Sequence, residues 1–312
     1  MPDRRETPRK PHFRKRKPGS KRKQAPIEKD WSEGERIAKY LARAGIASRR
    51  EAEVLIAEGK VSVDGATLKQ PAFKVTGHET IRVKGKIVRQ PQATRLWRYH
   101  KPAGLITTTQ DPAGRRTIFD ELPKSLPRTM TVGRLDLNTE GLLLLTNDGE
   151  LARALELPDT GLSRKYRARA HGQANEEALA SLAEGVTLDR VTYAPILATL
   201  ERQTGANCWI DVELKEGKKR EVRRALESVG LEVNRLIRTS YGEFELGALR
   251  PGAVEEVSEG QLSQLLRQLL PDRDPDEREE KLAQFEREQK KKRRPRPDRG
   301  QRRRGKFNPA DD

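Results

Sequence analysis

The chain contains one cysteine, Cys208, and four histidines, His12, His78, His100 and His171, among 312 residues. A single thiol excludes an intramolecular disulfide and any cysteine-based zinc site, and the histidines lack ligand spacing, so no metal is expected. Long apolar runs are missing too: the longest run of leucine is Leu142–Leu145, and no apolar stretch follows Met1-Pro2-Asp3-Arg4-Arg5. These absences predict a cytoplasmic protein with neither a membrane span nor a secretory leader. There is no Gly-x-x-x-x-Gly-Lys-Ser/Thr loop and no Gly-x-Gly-x-x-Gly after a strand, which speaks against nucleotide hydrolysis and against a dinucleotide cofactor.

What the chain has in excess is positive charge, 64 Lys and Arg against 47 Asp and Glu, or +17 net. Its placement matters more than its total: residues 1–30 carry +8 and residues 272–312 carry +4, leaving +5 for everything between. Both ends are rich in Pro, Lys, Arg and Gln and poor in apolar residues, so they are expected to be disordered basic arms. The densest run is Lys290-Lys291-Lys292-Arg293-Arg294. A solvated tail would look the same, but such a polycation gains salt-sensitive affinity for nucleic acid by counterion release.

A small folded unit is predicted for residues 31–92, starting near Trp31. Ile37, Leu41 and Ala44 share a helical face ended by Gly45, and Ser48-Arg49-Arg50-Glu51 has the form of a capping box for a second helix that stops at Gly59. Lys60–Gly65 reads as a strand with an Asp-Gly turn, and Ile81–Ile87 as a second alternating strand. This helix, helix, strand order resembles the S4 RNA-binding domain, with Ala44-Gly45-Ile46-Ala47-Ser48-Arg49-Arg50-Glu51-Ala52-Glu53 carrying the likeness. The resemblance implies RNA contacts from Arg43, Ser48, Arg49, Arg50 and Lys60 around the start of the second helix, where free amides and the helix dipole suit phosphate.

Residues 93–271 have a different texture. Arg95–His100, Leu105–Thr109, Leu142–Thr146, Tyr166–Ala170 and Cys208–Leu214 read as strands, and Arg220–Val229 and Gln261–Leu270 as amphipathic helices. Strands with few helices and no regular alternation predict an α+β domain built around a largely antiparallel mixed sheet with flanking helices. Within it, Gly133-Arg134-Leu135-Asp136-Leu137-Asn138-Thr139-Glu140-Gly141 sets a carboxylate beside a guanidinium just ahead of four leucines. A loop carboxylate with a solvated arginine partner is the plain reading; a catalytic carboxylate held by a buried strand is the other.

Separated motifs favour the second reading. Lys101–Thr109 with Asp111–Glu121, the Asp136 segment, Arg164-Lys165-Tyr166-Arg167 and Lys215–Arg224 agree in order with one family of ribosomal RNA pseudouridine synthases, the A type named for its small-subunit enzyme, and the chain resembles that family from about residue 34 to 258. The resemblance implies an isomerase in rRNA processing and ribosome biogenesis. It breaks the N1 to C1′ bond of one uridine in ribosomal RNA and rejoins the base through C5, without a cofactor.

It also assigns roles. Asp136 is the catalyst, by attack on the sugar, attack on the base, or stabilisation of separated charge. Arg223 is its cationic partner, since a desolvated carboxylate stays ionised only beside positive charge. Tyr166 packs on the uracil and can move a proton, and Arg134 fills the space of the flipped nucleotide. Arg220 and Arg224 are expected on RNA phosphates. Arg220-Glu221 stands where the small-subunit members carry His-Gln, which favours a large-subunit target. The alternatives are a small-subunit 16S target or an inert S4-domain assembly protein. The expected partner is ribosomal RNA or a subunit precursor, and no surplus apolar stripe calls for a second copy, so a monomer is expected.

Overall fold

Ser48 accepts the Glu51 amide at 3.2 Å while Glu51 accepts the Ser48 amide at 2.6 Å, closing the capping box and starting the helix Arg49–Ala57. Such a cap contributes about 1 kcal/mol. A computed structural model of the chain describes residues 34–109 and 111–271, with the single positions Ala283 and Arg287 beyond them. The expected arms, and the expected start at Trp31, lie outside the continuous described segments. The capped helix packs on the helix Ile37–Arg43 and on a four-stranded sheet, around an apolar cluster that includes Ile37, Leu41, Ile56, Val61, Val63 and Ile81. The predicted strand Ile81–Ile87 is two strands, Ile81–Val83 and Lys86–Ile87: Lys84 and Gly85 both take positive φ and fold the segment back on itself.

The rest of the described chain is organised by a nine-stranded sheet. Across it run Ile196–Thr204, Asn207–Leu214, Arg164–His171, Glu232–Tyr241, Thr139–Thr146, Leu96–Lys101 and Val254–Glu256, with the short strands Met130–Thr131 and Phe244–Glu245 at its side. Every neighbouring pair along it is antiparallel except one, where Thr139, Glu140 and Gly141 lie parallel to Leu236, Ile237 and Arg238. Two antiparallel halves therefore meet at a single parallel seam.

Alternation along Thr139–Thr146 decides what covers that seam. Leu142 and Leu144 face the helices Gly149–Glu156 and Glu259–Leu269, and Leu143 and Leu145 face Trp97, Tyr99, Leu105, Ile118 and Leu135. All four leucines are completely buried. At roughly 1.5–3 kcal/mol each they make this the strand that other elements adjust to. The other half is covered by the helix Glu221–Ser228, whose Val222, Ala225 and Leu226 pack on Ala168, Ile210 and Leu236.

The expected strand at Leu105–Thr109 is not formed. Gly104 turns with φ +86, a single bridge joins Ile106 to Thr117, and the Thr107 hydroxyl bonds the Leu135 backbone instead of facing a neighbouring strand.

Gly141 makes the seam possible. A Cβ there would lie 2.3 Å from the Arg238 carbonyl oxygen, and its φ is +104. Gly141→Ala is expected to cost about 3–5 kcal/mol or prevent folding. Gly104→Ala, with positive φ but open space around the added methyl, should cost only about 1–2 kcal/mol. Urea denaturation of both variants checks this, and similar losses would refute the role given to the close approach.

Candidate active site

Asp136 lies in the loop that delivers the chain to the seam, and its neighbours Leu135 and Arg134 show how it is presented. Leu135 is buried in the apolar cluster with Leu143 and Leu145, while Arg134 and Asp136 on either side of it are exposed. The buried leucine anchors the loop and leaves the carboxylate in the open.

The backbone around it is held by donors. The carbonyl of Leu135 accepts from Thr107 Oγ1 at 2.8 Å, that of Asp136 from the Thr139 amide at 3.0 Å, and that of Leu137 from the Gly104 amide at 2.8 Å. Asn138 accepts from Arg223 Nη2 at 3.1 Å and Thr139 from Lys101 Nζ at 2.9 Å, so five consecutive carbonyls are engaged. On the other side of Arg134, the Gly133 amide donates to Glu156 Oε1 at 2.8 Å. A loop that cannot be buried is fixed instead by satisfying its carbonyls from below.

Lys101 is the unexpected member. It is fully buried and also donates to Pro102 O at 3.0 Å. Burial pulls its ammonium down to about 8, while the negative charges of Asp136 and Glu140 oppose that shift. The sequence shows only a lysine at a strand end, and its motif with Pro102 does not reveal which atoms it holds. Gly104 and Thr107 lie in the same motif without their bonds to the loop being readable from it, and no sequence pattern singles out Glu156.

Arg223 lies beneath the same loop, buried on the helix Glu221–Ser228. The direct pair expected with Asp136 is not closed: the guanidinium donates to Val233 O at 2.6 Å and Asn138 O at 3.1 Å. Desolvation lowers its proton affinity and Arg220 adds to the effect, while the Asp136 carboxylate opposes it, so the two charges act on each other without a shared hydrogen bond. Tyr166, half buried, packs against both the Leu135 cluster and the cluster under the Glu221–Ser228 helix. Thus Asp136 and Arg223 act on each other electrostatically, Tyr166 packs on the cluster that anchors Leu135, and Arg134 is exposed.

The basic residues expected on RNA are distributed more widely. Arg49 and Arg50 are exposed at the start of their helix, where Ser48 serves as the cap. Arg43 donates to Glu35 at 2.7 Å and Lys60 pairs with Glu58 at 2.6 Å. Arg220 is exposed, takes the left-handed conformation at the helix N-cap and reaches Glu227 at 3.6 Å. Arg224 points elsewhere, toward Tyr193 Oη at 3.3 Å. The small domain touches the large one through Lys39 with Glu150 and through Arg128, which reaches the capping carboxylate of Glu51 at 3.1 Å. Among the described residues, no group of three or more His, Cys, Asp or Glu could hold a metal ion, and no helix is long and apolar enough to cross a membrane.

The fold is that of a pseudouridylate synthase: a crystal structure of that name superposes with a TM-score of 0.52, covering 74% of this chain and 99% of the other at 24% identity. Residues 95–228 match the RNA pseudouridylate synthase family, and residues 35–81 match the S4 domain. An uncharacterised RNA pseudouridine synthase of Rickettsia felis is 49% identical over 224 residues, 72% of this chain and 97% of that one. The ribosomal large subunit pseudouridine synthase B of Pasteurella multocida is 45% identical over 233 residues, 72% of this chain and 67% of that one. The chain belongs to the RNA pseudouridine synthase family, with an S4 domain ahead of the catalytic fold.

Lys101→Met should fold but turn over at least about 10²-fold more slowly, because the Thr139 and Pro102 carbonyls lose their donor and the loop shifts. Stability tests the same residue. The folded protein releases this proton near pH 8 and the unfolded chain near the ordinary 10.5. Wild-type stability therefore gains a contribution as pH rises between those values, where the unfolded state binds more protons. Subtracting the Lys101→Met curve should reveal that rise, and two parallel curves would contradict the assigned burial cost.

Proposed function

We propose that this isomerase converts one uridine of large-subunit 23S ribosomal RNA to pseudouridine, with Asp136 as the reacting carboxylate. The observation that carries the reading is the loop 135–139: each backbone carbonyl is held, and the Asp136 side chain is left exposed. Preorganisation of this kind places a reacting group without reorganisation during the reaction. The likeness to large subunit pseudouridine synthase B supports the large-subunit target.

The reaction breaks the N1 to C1′ bond, turns the uracil and forms a C5 to C1′ bond, with the C5 proton lost and N1 protonated, so nothing is gained or lost overall. In this reading Arg223 supplies a positive field under the loop that carries Asp136. Tyr166 packs on the uracil and its hydroxyl assists proton movement, while Arg134 occupies the space of the extruded nucleotide. The S4 domain holds the RNA through Arg49 and Arg50 at the capped helix start, with Arg43 and Lys60 flanking, and Arg220 and Arg224 add charge near the catalytic helix. The protein acts as a monomer in the cytoplasm on ribosomal RNA or a subunit precursor, with no cofactor.

Unmodified ribosomal RNA incubated with the wild-type protein should show a new carbodiimide-dependent reverse-transcription stop at one uridine in the large-subunit RNA. Asp136→Asn should reduce it by about 10³-fold or more. An undiminished stop with the variant would remove Asp136 from the chemistry, and a stop confined to small-subunit RNA would move the target.

A further inference from the structure

The loop between Ile106 and Thr117 is closed at its neck and braced at its tip. At the neck, Ile106 N donates to Arg116 O at 3.1 Å and Ile118 N donates to Ile106 O at 3.0 Å. At the tip, the Asp111 carboxylate accepts the Arg115 amide at 2.9 Å, Arg115 Nε at 3.0 Å and Arg115 Nη2 at 2.9 Å. The result is a carboxylate only 6% exposed inside a surface loop, carrying two guanidinium-bearing residues that are 58% and 71% exposed, Arg115 and Arg116. The Arg115 amide and guanidinium cover this carboxylate and hold the turn.

The loop is rooted in the active site. Thr107, its first residue, is the side chain that holds Leu135 next to Asp136, and Leu105 and Ile118 on either side of the neck share the apolar cluster of Leu135 and Tyr166. We propose that the tip Asp111–Arg116 is a preformed clamp for the RNA backbone beside the target uridine, with Arg116 contacting phosphate and Asp111 as the positioning residue that fixes the tip. The proposal rests on the reading of Asp136 as the catalyst. Arg116 is free to do this because its partner, Glu121, is itself exposed, and an exposed pair of this kind contributes little against a phosphate. The braced tip loses little conformational entropy on binding, which a floppy cationic loop would lose in full.

The test reads binding without turnover. In the Asp136→Asn background, affinity for an unmodified large-subunit RNA transcript is measured by filter binding across a range of KCl concentrations. Arg116→Gln should weaken binding about 3- to 10-fold and lower the slope of log affinity against log salt by about one, the loss of one phosphate contact. Asp111→Asn in the otherwise wild-type protein should raise the RNA concentration for half-maximal rate and leave the rate at saturating RNA unchanged. An unchanged salt slope with Arg116→Gln overturns the proposal. So does an Asp111→Asn protein that binds normally but turns over slowly, since the loop would then only prop the catalytic loop. Should Asp111→Asn lower the melting temperature, Arg116→Gln alone decides. Because binding is read on a protein that needs no activity, failure of the clamp and failure of the catalytic reading give different results.

Discussion

Everything in the catalytic domain depends on how an exposed turn can be kept still. Packing cannot do it, since burying Leu137 and Asn138 would also bury the carboxylate between Leu135 and Leu137. The solution is to bury one side chain, Leu135, and to give every carbonyl from 135 to 139 a donor from below. Two of those donors are cations, Lys101 and Arg223. They place positive charge beneath the turn, and Arg223 directs its hydrogen bonds to the Val233 and Asn138 carbonyls and not to the Asp136 carboxylate.

The position of this turn follows from the sheet. The turn feeds into the first residues of the central strand, at the place where the two antiparallel halves run parallel for three residues. Each half has its own apolar filling, and the turn leads directly into the strand at their junction. Gly141 and Arg238 determine how closely the halves approach, while Tyr166 touches the filling of both.

Local signals in the chain foretold local structure well. The capping box at Ser48, the Asp64-Gly65 turn, the leucine strand and the amphipathic helix ending near Val229 all depend on neighbours within a few positions, and all are present. The failures have a common cause. Leu105–Thr109 alternates like a strand, but Thr107 finds its partner at Leu135, far along the chain, and that bond replaces a ladder. Lys101 looks like a strand end because nothing nearby in sequence announces the Thr139 carbonyl waiting for it. The family likeness points to Asp136, Tyr166 and Arg223, while the contacts that place them, such as Arg223 on the Asn138 carbonyl, belong to the tertiary structure alone.

The S4 domain keeps an apolar cluster of its own, and its described contacts with the catalytic domain include the partly buried pair Lys39 with Glu150 and the exposed pair Arg128 with Glu51. Ion pairs of this kind contribute only about 0–1 kcal/mol each. Each domain is thus stabilised by its own apolar cluster, and the ion pairs between them add little to either.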